Sequence, residues 1–74
     1  MAQSRRSQPA LGKAIRESRE AHHLTQEDLA AAAKITVRTL SQVETGTANP
    51  TWATVDVIAE ALRMSIADLA KLAE

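Results

Sequence analysis

Seventy-four residues of zero formal net charge predict a single domain, and a chain this short buries only a marginally stabilising core. Of its 33 hydrophobic residues 15 are alanine, the one aromatic is Trp52, and there is no cysteine. That excludes disulfides and thiolate-bound zinc. No apolar stretch approaches the roughly 20 residues that a membrane span needs, and the first residues hold no signal-peptide apolar region. Few glycines and many alanines predict an all-α chain, soluble and cytoplasmic, with no membrane partner.

Charge is unevenly spread. Residues 1–19 carry five basic side chains (Arg5, Arg6, Lys13, Arg16, Arg19) against Glu17 alone, while 20–49 and 50–74 each hold two basic and four acidic residues. The basic end suits a phosphate backbone. Residues 1–8 have no large apolar residue after Met1 and are expected to form a flexible arm, with residues 9–74 as the folded domain.

Pro9 suits a first helical turn, where its missing N–H has no partner. Leu11, Ala14, Ile15, Ser18 and His22 then follow the spacing of one helical face, predicting a helix over about 9–22. Thr25 with Asp28 three residues on reads as a helix start, and Leu29, Ala30 and Ala33 as the inward face of a short second helix. The small side chains of Ala30–Ala33 allow another helix to approach closely. A third helix begins at the capping Thr36 and ends before Gly46, which suits a left-handed position. Within it Leu40 and Val43 point inward, whereas Val37, Arg38, Ser41 and Gln42 form an exposed strip. Only Lys34, Ile35 and Thr36 join the second and third helices, the spacing of a helix-turn-helix.

Thr47-Ala48-Asn49-Pro50 reads as a loop and Thr51 as the cap of a fourth helix, whose core face is Val55, Ile58, Ala59 and Leu62. Val57, Ala61 and Met64 form a second, weaker apolar stripe. Ser65 with Asp68 repeats the capping pattern, and Ile66, Leu69, Ala70 and Ala73 define a fifth helix. The fold class is therefore an all-α bundle of five helices containing a helix-turn-helix.

Leu24-Thr25-Gln26-Glu27-Asp28-Leu29-Ala30, Ile35-Thr36, Leu40-Ser41-Gln42-Val43-Glu44, Gly46 and Asn49-Pro50 together resemble the phage repressor and Cro family of helix-turn-helix regulators, of the xenobiotic-response-element type. The resemblance runs from about Leu11 to Leu72. It implies a lambda-repressor-like DNA-binding domain whose third helix, about residues 36–45, lies in the major groove. By the same resemblance Thr36, Val37, Arg38 and Gln42 read bases, and Gln26, Thr39, Thr45 and Asn49 hold the DNA backbone. Arg5 and Arg6, on a flexible arm next to the basic first helix, suit further backbone contacts. Arg19 and Glu44 match a pair of opposite charges tying the first helix to the end of the third. Lys34 stands where the family prefers glycine; a left-handed turn there costs a lysine roughly 1 kcal/mol. Thr47-Ala48 lacks the basic residues frequent in the family's loop.

No catalytic set is present. His22 and His23 are adjacent, about 100° apart on a helix, and cannot converge on one metal; no metal, cofactor or enzymatic activity is expected. Trp52 reads as a hydrophobic plug at the start of the fourth helix rather than a base-stacking residue. Two functions stand. The first is a sequence-specific double-stranded-DNA-binding transcriptional regulator, a repressor associated with the nucleoid. It would act as a weak homodimer on a palindromic operator, paired through Val57, Ala61, Met64 and Leu72. The second is a protein-interaction module on the same fold, such as an antitoxin or a bridging coactivator with a protein partner. Arg38 and Gln42, both base-reading types, favour the first.

Overall fold

The computed structural model describes residues 9–73, which form α1 (Pro9–Ala21), α2 (Gln26–Ala33), α3 (Val37–Glu44), α4 (Trp52–Ala61) and α5 (Ile66–Leu72), with no strand among them. The expected arm, with Arg5 and Arg6, lies outside the described residues, as does Glu74. Hydroxyl caps set where four of the helices start. Thr25, Thr36, Thr51 and Ser65 are extended, and each side chain accepts the backbone N–H three residues on. Thr25 and Ser65 complete the reciprocal box with Asp28 and Asp68. Each such cap is typically worth about 1 kcal/mol, which matters for helices of seven to ten residues that would not form alone.

The helix ends share one device. His23 (φ 58°), Lys34 (φ 60°), Gly46 (φ 75°) and Arg63 (φ 60°) are left-handed. Around each, two N–H groups turn back to the last helical turn: His23 to Glu20 and Leu24 to Arg19, Lys34 to Ala31 and Ile35 to Ala30, Gly46 to Val43 and Thr47 to Gln42, Arg63 to Glu60 and Met64 to Ala59. These are Schellman closures, which satisfy carbonyls left over at a helix end. Three of them continue identically. The left-handed residue is followed by an apolar one packed on the core (Leu24, Ile35 or Met64) and then by the hydroxyl cap of the next helix.

The caps and turns fold the short helices onto one centre. α1 packs against α3 and α5, α2 against α3 and α4, and α4 against α5. Ile15, Leu29, Leu40, Ile58, Leu62 and Leu69 are fully buried at that centre; each such side chain contributes about 1.5–3 kcal/mol on burial. Ala30 and Ala33 are buried between α2 and its neighbours while Ala31 and Ala32 face out. The face expected for α4 (Val55, Ile58, Ala59, Leu62) is buried throughout. In α5 only Leu69 is; Ile66 and Ala73 are half-buried and Ala70 is exposed.

Two expectations are corrected. His22 is exposed beyond the end of α1, and the inward face is completed instead by Gly12 and Arg19. A charged residue could be taken inside because a carboxylate waits there. Trp52 is no plug: it is 71% exposed. It stands at the rim of an open groove of about 480 Å³, lined also by Leu11, Pro50, Val55, Ile66 and Ala73. On the α5 side the groove is lined by half-buried Ile66 and the short side chains of Ala70 and Ala73, and the indole is left uncovered.

Candidate nucleic-acid interface

Three residues between α2 and α3 are enough to fix how α3 is presented. Lys34 has φ 60° and ψ 41°, which reverses the chain at once, and half-buried Ile35 anchors the reversal on the core. Thr36 then starts α3: its hydroxyl accepts the Thr39 N–H at 3.0 Å and donates to the Thr39 hydroxyl at 2.9 Å. Leu40 and Val43 hold the helix from beneath.

What is left outside is the expected strip except Ser41. Thr36, Val37, Arg38 and Gln42 are all exposed, and Thr39 and Ser41 half-buried. Val37, 40% exposed, is one of the few large apolar side chains facing solvent. Among the described residues neither the Arg38 guanidinium nor the Gln42 amide has a hydrogen-bond or ion-pair partner within the chain. One helical turn apart, they offer an uncommitted cation and an uncommitted amide side by side. Such a pair carries the donors and acceptors that read guanine and adenine edges.

Beside this strip lies a network that joins three helices. The Arg19 Nε–H donates to Glu44 Oε2 at 2.7 Å and an Nη2 proton to Oε1 at 3.1 Å, a bidentate pair with side-chain exposures of only 11% and 2%. Arg19 Nη1 donates to the Leu24 carbonyl at 2.8 Å, so the guanidinium also braces the turn between α1 and α2. The hydrogen bond to Glu44 raises the arginine's already high pKa against the opposing cost of burial. Buried pairs of this kind gain little over apolar replacements, yet losing one partner costs about 3–5 kcal/mol. The end of α3 is thereby locked to α1. Gln26, the first residue of α2, joins the same carboxylate: its Nε2 donates to Glu44 Oε1 at 3.0 Å.

The loop after α3 is built from hydroxyls. Thr45 Oγ1 donates to the Ser41 carbonyl at 3.0 Å and lies 3.1 Å from the Thr47 hydroxyl, which also reaches the Gln42 carbonyl at 3.3 Å. Asn49 sits apart from these, exposed on the wall of the Trp52 groove. The remaining candidates are elsewhere again: Val57, Ala61 and Met64 are half-buried against the core, and Leu72 is 59% exposed.

Gly12 is a residue that sequence reasoning passed over. A Cβ at Gly12 would collide with the Val43 carbonyl and lie 2.6 Å from that of Glu44. α1 and α3 therefore touch backbone to backbone where the Arg19–Glu44 pair joins them. The available signal was a lone glycine inside an otherwise regular helical pattern. The Gln26–Glu44 bond left no such trace.

The helix-turn-helix family model HTH_3 matches residues 15–72. Among solved structures, the clp gene regulator ClgR from Corynebacterium glutamicum superposes with a TM-score of 0.84 at 30% identity, covering 89% of this chain and 86% of its own. The restriction-modification controller protein C.AhdI from Aeromonas hydrophila gives 0.80 at 30% identity, covering 82% and 92%. The competence regulator ComR from Streptococcus vestibularis gives 0.80 at 32% identity; the match covers 86% of this chain and 22% of that protein. No curated protein matches the chain in sequence. Among the described residues no helix is long and apolar enough to cross a membrane.

Proposed function

The chain belongs to the Cro/C1-type helix-turn-helix family of DNA-binding transcriptional regulators, and on that premise we propose that α3 lies in the major groove of a two-fold operator, one copy per half-site. Arg38 and Gln42 read base edges, Val37 meets a thymine methyl, and Thr36 completes the reading end of the helix. Gln26, Thr39, Thr45 and Asn49 hold the phosphate backbone and set the register. The observation that carries this reading is the Arg38–Gln42 pair, exposed and without partners among the described residues, on a helix whose opposite face is committed to the core. Two copies associate weakly through the Val57, Ala61 and Met64 stripe with Leu72, and the regulator acts as a repressor by occupying its site.

Arg38 decides the matter. Two parallel N–H groups from an arginine match guanine O6 and N7, a pattern that no other base presents. Arg38→Ala should leave the fold unchanged, cost roughly 1–3 kcal/mol on the preferred duplex and relax one position per half-site. Selection from random-sequence duplex pools with the original protein and the variant reads this directly. An identical consensus from both removes Arg38 from base reading, and no enrichment by the original protein removes sequence-specific binding altogether.

A further inference from the structure

We infer that Glu44 is a positioning residue for DNA binding: held by Arg19, its carboxylate fixes the Gln26 amide so that a single N–H is left for a phosphate oxygen. The inference rests on the reading of Gln26 as a backbone contact. An ionised carboxylate only accepts hydrogen bonds. The 3.0 Å contact between Gln26 and Glu44 Oε1 therefore sets which end of the amide faces inward: the NH₂ group, not the oxygen. One of the two amide protons is then consumed, and the other is held in a fixed direction at the first residue of α2.

The carboxylate can serve as a fixed post because it cannot turn. Both its oxygens accept from Arg19, at 2.7 and 3.1 Å, and Arg19 is itself tied to the Leu24 carbonyl at 2.8 Å. Leu24 precedes the Thr25 cap of α2, so the same guanidinium braces the helix start on which Gln26 sits. A glutamine on a free surface samples several rotamers and gives up that freedom on binding. Here the loss is already incurred in the free protein. Because Glu44 ends α3, the phosphate contact and the reading helix are placed by one buried group, coupling backbone grip to groove register.

The test is a double-substitution cycle on the full chain, with affinity measured on the duplex that the original protein recovers from a random pool. Gln26→Ala is expected to weaken binding several-fold and equally across sequences, as losing a phosphate contact does. Glu44→Gln is expected to weaken it in the original background and to weaken it distinctly less once Gln26 is alanine, what remains being the looser hold of α3 on α1. Equal losses in both backgrounds, or no loss from Glu44→Gln in the original background, overturn the positioning role. No effect of Gln26→Ala overturns both that role and the backbone contact it rests on. Should Glu44→Gln fail to fold, nuclear magnetic resonance of the Gln26 side-chain amide in the original protein replaces the cycle. One proton held by the carboxylate with and without duplex supports the inference; an amide freed from Glu44 in the complex overturns it.

Discussion

At the scale of single residues, two opposed effects meet at Gly12. Replacing a mid-helix glycine by alanine ordinarily gains about 1 kcal/mol in helix propensity. Here the new methyl would lie 2.6 Å from the Glu44 carbonyl oxygen, an atom of backbone that cannot swing aside. Forcing α1 off α3 costs more than the propensity returns, since overpacking typically costs 1–3 kcal/mol or more. Gly12→Ala should therefore lower the denaturation midpoint and weaken DNA binding, because α3 moves with the displaced contact; a raised midpoint would show that the two helices have room to spare. Asp28 gives a second residue-scale prediction. The Thr25 backbone N–H, with the Thr25 hydroxyl second, holds its carboxyl below the usual range. A group whose folded pKa is depressed stabilises above its unfolded value, about 3.9, and loses that contribution as pH falls through the folded value. Asp28→Asn should accordingly differ from the original protein at pH 7 and converge with it as the pH falls through the depressed folded value of Asp28. A difference that persists in acid would assign the effect to packing rather than charge.

At the scale of elements, the turns carry more of the fold than the helices do. His23, Lys34 and Arg63 occupy left-handed backbone without being glycine, each at a cost of roughly 1 kcal/mol. Burial of the apolar residue that follows offsets it. His23→Gly, Lys34→Gly and Arg63→Gly should each raise stability by about 0.5–1 kcal/mol, and nearly additively, since the three turns are separate. Gly46→Ala should do the reverse: its φ is 75° and a Cβ would meet the Pro9 Cα at 2.8 Å. Chemical denaturation of the four variants checks both signs, and a Lys34→Gly protein less stable than the original would mean that the lysine side chain holds the turn. This is also where sequence reading succeeded and failed. Caps at Thr25, Thr36, Thr51 and Ser65, and the stripe Val55, Ile58, Ala59 and Leu62, are local patterns and could be read directly. Lys34 was legible only because a resemblance put glycine there; His23 and Arg63 sit in identical turns with no such cue. Arg19 inside and Trp52 outside were illegible for a related reason. Each depends on what the rest of the fold brings, a carboxylate from α3 in one case and an open groove in the other. The exposed strip of α3 followed from periodicity, whereas the Gln26–Glu44 bond spans 18 residues and belongs to the tertiary structure alone.

At the scale of the whole molecule, zero net charge removes the broad attraction that a strongly basic domain has for DNA, so binding must lean on specific contacts and on pairing. One reading helix covers too few base pairs to be selective, which is why two copies on adjacent half-sites are proposed as the working unit. The free dimer should be weak. A stable one buries about 800 Å² per partner, while Val57, Ala61 and Met64 are already half-covered by the core and only Leu72 stands clear. If this is the pairing surface, as proposed, it should fail to hold two copies in solution and suffice once DNA has brought them together, because the second contact is then made at high effective concentration. Sedimentation should show monomer at micromolar concentration and two copies on a duplex bearing both half-sites. Ala61→Glu places a carboxylate in the middle of the stripe and should abolish cooperativity while leaving affinity for a single half-site intact. If Ala61→Glu binds as cooperatively as the original protein and Trp52→Ala does not, the pairing surface is the groove between α1, α4 and α5, where an exposed indole already stands at the edge of an apolar hollow.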